Sequence, residues 1–240
     1  MHSPFVFDFI LNVLNNKSHY QPPQEIEHLR TQLLKDKTVV EIEEMGAGSR
    51  TSSATQRTVS QVAGAALKSK RLAQVLFRIV KHYQPSTIVE LGTSFGITTI
   101  YLSKANPTAS IITIEGNRPT AALAKENFKK LGCENIQLQQ GNFDHLLPSV
   151  LSKFPAIDLA YIDGNHRYEP TINYFHQFLS KSHNGTILVF DDIHWSAGME
   201  KAWEEIKSHP TVQYTIDIFF LGFVFFRHDF KVKQNFSIRF

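Results

Sequence analysis

The sequence predicts an α/β fold: a doubly wound, seven-stranded, mostly parallel sheet with a C-terminal antiparallel hairpin strand and an N-terminal helical extension. From Thr87 onward, short apolar runs alternate with amphipathic stretches. This alternation is typical of a parallel sheet covered by helices on both faces. Near the C-terminus, two apolar runs follow each other too closely for a crossover, so we expect them to pair antiparallel.

The first 84 residues are predicted to form a helical cap. Apolar residues recur at helical spacing in three stretches: 4–16, 24–35 and 59–83. Residues 41–60 are rich in Gly, Ser, Thr and Glu, which indicates a polar loop, either a connector or a lid, after a possible short strand. The remaining residues, 85–240, are predicted to form the domain that holds the functional site.

Five parallel strands and the hairpin account for the seven predicted strands. The parallel strands are the apolar runs TIVELG, SIITIEG, NIQLQQG, IDLAYIDG and GTILVFDD, each followed by a helix-like segment. The hairpin consists of VQYTIDIF and GFVFFRH, with a tight connection expected at Leu221–Gly222.

The composition is that of an ordinary globular protein. A chain of 240 residues with 42% hydrophobic side chains can bury a full core, and its single cysteine, Cys133, rules out a disulfide framework. The formal charge of +3 comes from 25 basic and 22 acidic residues spread along the chain, so no nucleic-acid partner is indicated. The N-terminus lacks the marks of a secretory leader, and no apolar run is long enough to span a bilayer. We therefore expect a cytoplasmic protein with no membrane partner.

A glycine-containing turn follows the first parallel strand. The segment Glu90–Gly96 reads ELGTSFG and precedes an apolar helix. Glycines at such a turn let the backbone approach a ligand, and the helix amides offer hydrogen-bond donors. A nicotinamide-binding turn requires G-x-G-x-x-G, whereas only Gly92 and Gly96 are present here, which argues against NAD.

An acidic residue ends the next strand about 20 residues later, where a carboxylate can accept both hydroxyls of an adenosine ribose. This residue is Glu115, followed by Gly116. At the end of the third strand, Asn142 is placed to bond an adenine edge and Phe143 to pack on the ring, although a turn with a core aromatic explains them nearly as well.

These residues resemble the class I methyltransferases, in particular the metal-dependent O-methyltransferases that act on catechols, caffeoyl esters and macrolide sugars. The resemblance covers residues 85–227 and rests on the segment VELGTSFGITT, the strand-end acid and the terminal hairpin. It implies S-adenosylmethionine as cofactor and a Rossmann-like domain. The implied cofactor-binding residues are Glu90, Gly92, Thr93, Ser94, Gly96, Glu115, Gly116, Asn142, Phe143 and Asp163.

Two further segments extend the resemblance, YIDGNHRYEPTINYF and GTILVFDDIHWSAGMEKAW. By similarity to the metal-using members, Asp163, Asp191 and Asp192 would hold Mg²⁺, whose preferred ligands are hard oxygens. His166 stands where the catechol-type enzymes have a lysine base, and the sugar-modifying relatives also have a histidine there. His166 is expected to act with Asp163 in catalysis.

Other interpretations of these residues stay open. The acidic pair Asp191–Asp192 is equally compatible with capping the next helix. For His166 the alternative is a surface histidine, although a role in the site is favoured. A metal-dependent hydrolase would use the same acids together with His166 and His194 but would leave Glu115 unexplained. A third alternative is a cofactor-binding protein without catalytic activity.

A second segment with glycines, Glu44–Arg50, also resembles a methyltransferase glycine motif, but no apolar helix face follows it. We interpret it as a mobile loop, with Arg50 as a possible anion contact. His194 and Trp195 are candidates for lining a substrate pocket. The expected partners are a small-molecule acceptor and, through the N-terminal helices, a second copy of the chain.

Overall fold

The computed structural model describes residues 3–16, 21–42 and 56–240. Its helices are α1 (Pro4–Phe9), α2 (Gln24–Leu33), α3 (Val59–Ala66), α4 (Lys70–Tyr83), α5 (Ile97–Ala105), α6 (Arg118–Lys130), α7 (Phe143–Leu151), α8 (Tyr168–Leu179) and α9 (Ala197–Ser208). A π-helical segment, Ile10–Leu14, continues α1. None of these described helices is long and apolar enough to cross a membrane.

The strands are β1 (Val39–Glu41), β2 (Gln56–Thr58), β3 (Thr87–Leu91), β4 (Ser110–Glu115), β5 (Ile136–Gln140), β6 (Leu159–Ile162), β7 (Ile187–Asp191), β8 (Tyr214–Asp217), β9 (Leu221–Phe225) and β10 (Gln234–Ser237). The short strands β1 and β2 pair antiparallel with each other. The remaining eight form one sheet in the order β10-β8-β9-β7-β6-β3-β4-β5.

The predicted fold class is confirmed, but the predicted number of seven strands was wrong. Strands β3 to β7 are parallel, and β9 pairs antiparallel with both β7 and β8. The eighth strand, β10, adds parallel to β8 at the edge of the sheet. Its side chains are mostly exposed, so it lacks the apolar pattern from which a strand is predicted.

The hairpin connection also differs by a few residues from its predicted position at Leu221–Gly222. Asp217 pairs with Gly222 across the hairpin, so both predicted turn residues lie within β9 and residues 218–220 form the connection. Gly222 packs against the indole of Trp203, where a Cβ would lie 2.7 Å from the ring. This close approach explains why a glycine stands inside a buried strand.

The stretch 59–83 forms two helices instead of one. The first, α3, begins with a capping box in which Thr58 and Gln61 bond each other's backbone amides. It ends at Leu67, which is extended, and the Ser69 hydroxyl then accepts the amide of Leu72 to begin α4. The break between them leaves Lys68 outside both helices.

Apolar side chains cover both faces of the sheet, as expected for a doubly wound fold. Helices α1 to α6 contribute to the core on one face, and α7, α8 and α9 to the core on the other. The helices of the first 84 residues therefore share a core with the sheet; for example, Phe9 packs edge-on against Phe223. The division at residue 84 stays a prediction.

The chain order reverses between β3 and β6, which lie side by side in the sheet although β4 and β5 separate them in sequence. Ligands of open α/β sheets bind outside the carboxyl ends of strands at such a switch point. The turn after β3 and the residues at the ends of β4, β6 and β7 all open toward this place.

Candidate active site

The glycine turn after β3 is built for close backbone contact. Gly92 has a φ of +96°, and a Cβ there would lie 1.8 Å from the backbone oxygen of Asp163. Gly96, with a φ of +81°, caps the N-terminus of α5 and faces the ring of Phe128. The first glycine thus lets the ends of β3 and β6 touch, and the second lets α5 pack against α6.

Glu90, one of the predicted cofactor contacts, does not line the cavity but lies behind the glycine turn. Its Oε2 accepts hydrogen bonds from Thr99 at 2.5 Å and Thr113 at 2.6 Å. Burial raises the pKa of Glu90 to about 7. Thr93 is buried beside it, with its hydroxyl 2.6 Å from that of Thr113. These two residues, like Gly96, shape the turn from behind.

Glu115 at the end of β4 is fixed by backbone amides. Its Oε2 accepts the amide of Ser94 at 2.7 Å and its Oε1 that of Asn117 at 2.8 Å. Burial raises the pKa of Glu115. Each carboxylate oxygen keeps a second lone pair, so both remain able to accept a hydroxyl. The carboxylate faces the cavity together with Gly116.

Asn142 and Phe143 lie on the same cavity at the start of α7. The Oδ1 of Asn142 accepts the amide of Asp144 at 2.7 Å and so caps the helix. The ring of Phe143 packs edge-on to Tyr174 and covers Gly164, where a Cβ would lie 2.5 Å from it. Asn142 therefore has a structural role, which leaves its amide nitrogen for the predicted contact to a base.

Asp163 and Asp191 meet at the ends of the neighbouring strands β6 and β7. One ligand atom from each of them and from His166 lie within 4.8 Å of one another. Asp163 accepts the hydroxyl of Tyr161 at 2.9 Å, and its other oxygen lies 3.6 Å from Nε2 of His166. Burial, and then the charge of Asp163, raise the pKa of Asp191 well above its usual range.

Lys68 completes this cluster and was not predicted from the sequence. Its ammonium group hydrogen-bonds the Asp191 carboxylate and lies 3.9 Å from Oδ1 of Asp192. Against the opposing effect of burial, Lys68 lowers the pKa of Asp163, and the three carboxylates raise the pKa of Lys68 in turn. The one sequence signal for its placement is Ser69, a helix-capping residue that breaks the apolar pattern directly after it.

The predicted Mg²⁺ site does not fit this arrangement. Carboxylates have the right chemistry, but Asp192 lies outside the group formed by Asp163, His166 and Asp191. The Lys68 ammonium already contacts Asp191, so a divalent ion bound there would meet a second positive charge at short range. Asp191 and Asp192 therefore lie against the ammonium group of Lys68 and not around a metal site.

Most of these groups border one cavity of about 340 Å³, whereas Asp191, Glu90, Thr93 and Gly96 are not part of its lining. The predicted residues that line it are Gly92, Ser94, Glu115, Gly116, Asn142, Phe143, Asp163, His166 and Asp192. The lining residues absent from the prediction are Ile42, Val62, Ala65, Ala66, Lys68, Asn117, Thr120, Gly164, Asn165 and Tyr174. Many of these come from α3 and from loops, where no motif marks them.

Backbone strain is concentrated at this cavity. Among the described residues, five residues other than glycine have a positive φ. Three of these five line the cavity: Ser94, Asn165 and Asp192. Such conformations persist where the surrounding structure enforces them, commonly at functional sites.

Two further predicted pocket residues lie outside this cavity. His194 is bound to Asp217, with Nε2 2.8 Å from the carboxylate, and stacks on Phe219. Trp195 is 43% exposed and is likewise absent from the lining. The glycine-rich segment 44–50, with Arg50, falls outside the described residues.

The fold and the cavity together define a class of protein. Residues 89–193 match the protein family described as "Methyltransferase domain". This segment is similar to that family, and the chain has the fold of solved class I S-adenosylmethionine-dependent O-methyltransferases, so the predicted resemblance is confirmed.

The chain is also similar to individual methyltransferases. The chain is 30% identical over 133 residues to the catechol O-methyltransferase of Niastella koreensis, a match covering 54% of this chain and 58% of the relative. It spans about half the length of the curated relatives it matches.

Solved structures extend the likeness to nearly the whole chain. The O-methyltransferase from Bacillus cereus, in complex with S-adenosylhomocysteine, superposes with a TM-score of 0.63 at 18% identity, over 92% of this chain and 97% of that one. A Podospora anserina methyltransferase with the same ligand bound reaches a TM-score of 0.68 at 15% identity, over 95% and 97% of the two chains.

Proposed function

We propose that this protein is an S-adenosylmethionine-dependent methyltransferase that methylates a hydroxyl oxygen of a small molecule. One observation carries the proposal: the glycine turn, the Glu115 carboxylate and the Asp163–His166 pair, on three different strand ends, face one cavity. The hydrolase alternative leaves Glu115 and the glycine turn unexplained, and its expected metal cluster would include His194, which is bonded to Asp217 outside the cavity.

The cavity offers a contact for each part of the cofactor. Glu115 would accept the two ribose hydroxyls, and the turn from Gly92 to Ser94 would hold the amino-acid end. Phe143 and the Nδ2 of Asn142 would hold the adenine. The two amides that hold the Glu115 oxygens fix the carboxylate before the cofactor arrives, so little ordering is needed on binding.

Charge also favours this ligand. Glu115, Asp163 and Asp192 line the cavity, and Lys68 is the one Lys or Arg side chain among the described lining residues. A cavity rich in carboxylates attracts a ligand with a sulfonium and an ammonium group.

When bound, S-adenosylmethionine supplies an electrophilic methyl group, whose bond to sulfur breaks, with its electron pair left on sulfur, as the bond to the acceptor oxygen forms. The protein's part is to hold the acceptor in line and to remove its proton. Nε2 of His166 takes that proton, and Asp163, 3.6 Å from Nε2, stabilises the imidazolium that results.

We assign the acceptor only to the class of small-molecule hydroxyl compounds. The name of the Niastella koreensis relative, a catechol O-methyltransferase, supports an oxygen acceptor. The homodimer through the N-terminal helices and the cytoplasmic location stay proposals. Phe7 and Leu11, four residues apart in the first two N-terminal helical segments, are 62% and 48% exposed and are compatible with such an interface.

The test is formation of S-adenosylhomocysteine from S-adenosylmethionine with a panel of catechols, caffeoyl esters and sugars. We expect turnover with at least one hydroxyl acceptor and a loss of about 10² to 10⁴ in kcat for His166→Ala. The matched control is His145→Ala, since His145 is exposed and outside the cavity. Cofactor binding without turnover of any acceptor would instead favour the inactive cofactor-binding protein.

A further inference from the structure

Lys68 lies in the short connection between α3 and α4, and contacts of the backbone hold it in place. The buried Arg30 donates a hydrogen bond of 2.6 Å to the Lys68 carbonyl, and Ser69 caps α4 immediately after it. The Lys68 side chain is itself only 12% exposed. A lysine side chain is flexible in water, so this anchoring of its backbone and this burial make it a fixed element of the cavity.

The ammonium group lies against the two neighbouring carboxylates at the end of β7. It contacts the wholly buried Asp191 side chain directly and faces Asp192 at 3.9 Å. An ammonium group has three donors, and Asp191 uses one of them. Because Lys68 lines the cavity with His166, its remaining donors are available to a ligand there.

We propose that Lys68 is the permanent cation of this site, takes the place of a divalent metal ion and hydrogen-bonds the acceptor oxygen during methyl transfer. This inference rests on the proposed function. Lys68 keeps its own protons throughout, and the acceptor's proton passes to His166. The fixed positive charge stabilises the negative charge that develops on the acceptor oxygen and orients that oxygen toward the methyl group.

Metal binding is measured first, with Mn²⁺ as the probe and electron paramagnetic resonance as the readout, because this needs no acceptor. We expect no bound Mn²⁺ in the wild type or in Lys70→Asn, a control at an exposed lysine two residues away. Lys68→Asn removes the ammonium and leaves three ligand atoms within 4.8 Å, so it is expected to gain Mn²⁺ binding. Adding Asp191→Asn to that variant is expected to abolish the gain.

Two results of this titration would overturn the inference. One is Mn²⁺ bound by the wild type, displaced by Mg²⁺ and lost in Asp191→Asn, since a lysine that moves aside for a metal does not replace it. The other is no gain of binding in Lys68→Asn while circular dichroism and S-adenosylhomocysteine affinity show that the variant is folded.

Kinetics then test the role toward the acceptor, using the fastest acceptor from the panel. We expect wild-type turnover to be unchanged by EDTA or by added Mg²⁺, and kcat/KM to fall about 10²-fold to 10³-fold in Lys68→Gln. Lys68→Arg, which keeps a cation, should recover part of this loss, and Lys70→Gln should have none. Turnover abolished by EDTA, or a Lys68→Gln variant as active as wild type, would contradict the inference.

Failure of this inference is distinguishable from failure of the proposed function. A wild-type protein that binds S-adenosylmethionine and turns over an acceptor only with Mg²⁺ would refute the role of Lys68 alone. A protein that binds no cofactor would refute the proposed function, whatever the Mn²⁺ titration shows.

Discussion

Replacing the buried Glu90 by glutamine should change how stability depends on pH. Burial raises the pKa of Glu90 from its ordinary value of 4.5 to about 7. At about 1.4 kcal/mol for each pH unit, the ionised form is disfavoured in the folded state by roughly 3 kcal/mol. Glutamine has nearly the same shape and no charge, so Glu90→Gln is expected to remove this cost.

Proton binding by Glu90 sets the direction in which stability changes with pH. Between pH 4.5 and about 7 the folded protein keeps a proton on Glu90 that the unfolded chain releases. The folded state binds more protons there, so stability falls as pH rises through this window and stays reduced above it. Glu90→Gln lacks this contribution and should gain stability relative to wild type by about 2 to 3 kcal/mol between about pH 5 and about pH 8.

The assay is urea unfolding of cofactor-free wild type and Glu90→Gln at the two pH values, with Glu126→Gln as the control. Glu126 lies exposed on α6, so its substitution should leave the pH dependence unchanged. A weaker hydrogen bond from glutamine to Thr99 or Thr113 would lower stability equally at both pH values. The difference in stability between the two pH values therefore reports the ionisation of Glu90 alone. Parallel stability curves for wild type and Glu90→Gln would refute the assignment of Glu90 as a carboxyl that burial keeps protonated.

Substitutions at two positions of the cavity wall give further predictions. Gly92→Ala should destabilise the fold by about 3 kcal/mol or more in urea unfolding, because the new Cβ would lie 1.8 Å from the Asp163 backbone oxygen at a φ of +96°; a loss below 1 kcal/mol would refute this contact. Asn142→Ala should cost about 1 kcal/mol by removing the cap on the Asp144 amide, whereas Asn142→Asp should keep the cap and lose only the donor to the adenine. Equal stability losses in the two Asn142 variants, measured by the same method, would show that the cap is not the source.

The sheet was predictable because its strands are buried on both faces. All four residues of β6 and all five of β7 are buried, and such continuous apolar runs stand out in a sequence. β10 was missed because three of its four residues are exposed, and its pairing with β8 depends on a tertiary contact. The break at Leu67 was missed because apolar residues continue at helical spacing on both sides of it.

The candidate site was predictable where a side chain's role depends on its place at a strand end. Glu115 and Asp163 lie at the cavity for that reason. Glu90 precedes a strand end by one residue, and its side chain turns instead toward threonines of α5 and β4. Lys68 comes from a loop between helices, so its contact with Asp191, 123 residues away, has no local signal in the sequence.

The central claim, that this cavity binds S-adenosylmethionine through Glu115, is tested most directly by isothermal titration calorimetry. S-adenosylmethionine and S-adenosylhomocysteine would be titrated into wild type, Glu115→Ala and the control Glu126→Ala. We expect saturable one-to-one binding to wild type and to the control, and an affinity about 10²-fold lower in Glu115→Ala, because charged hydrogen bonds to the ribose are lost. Absence of binding to the wild type, or equal affinity in all three proteins, would contradict the claim.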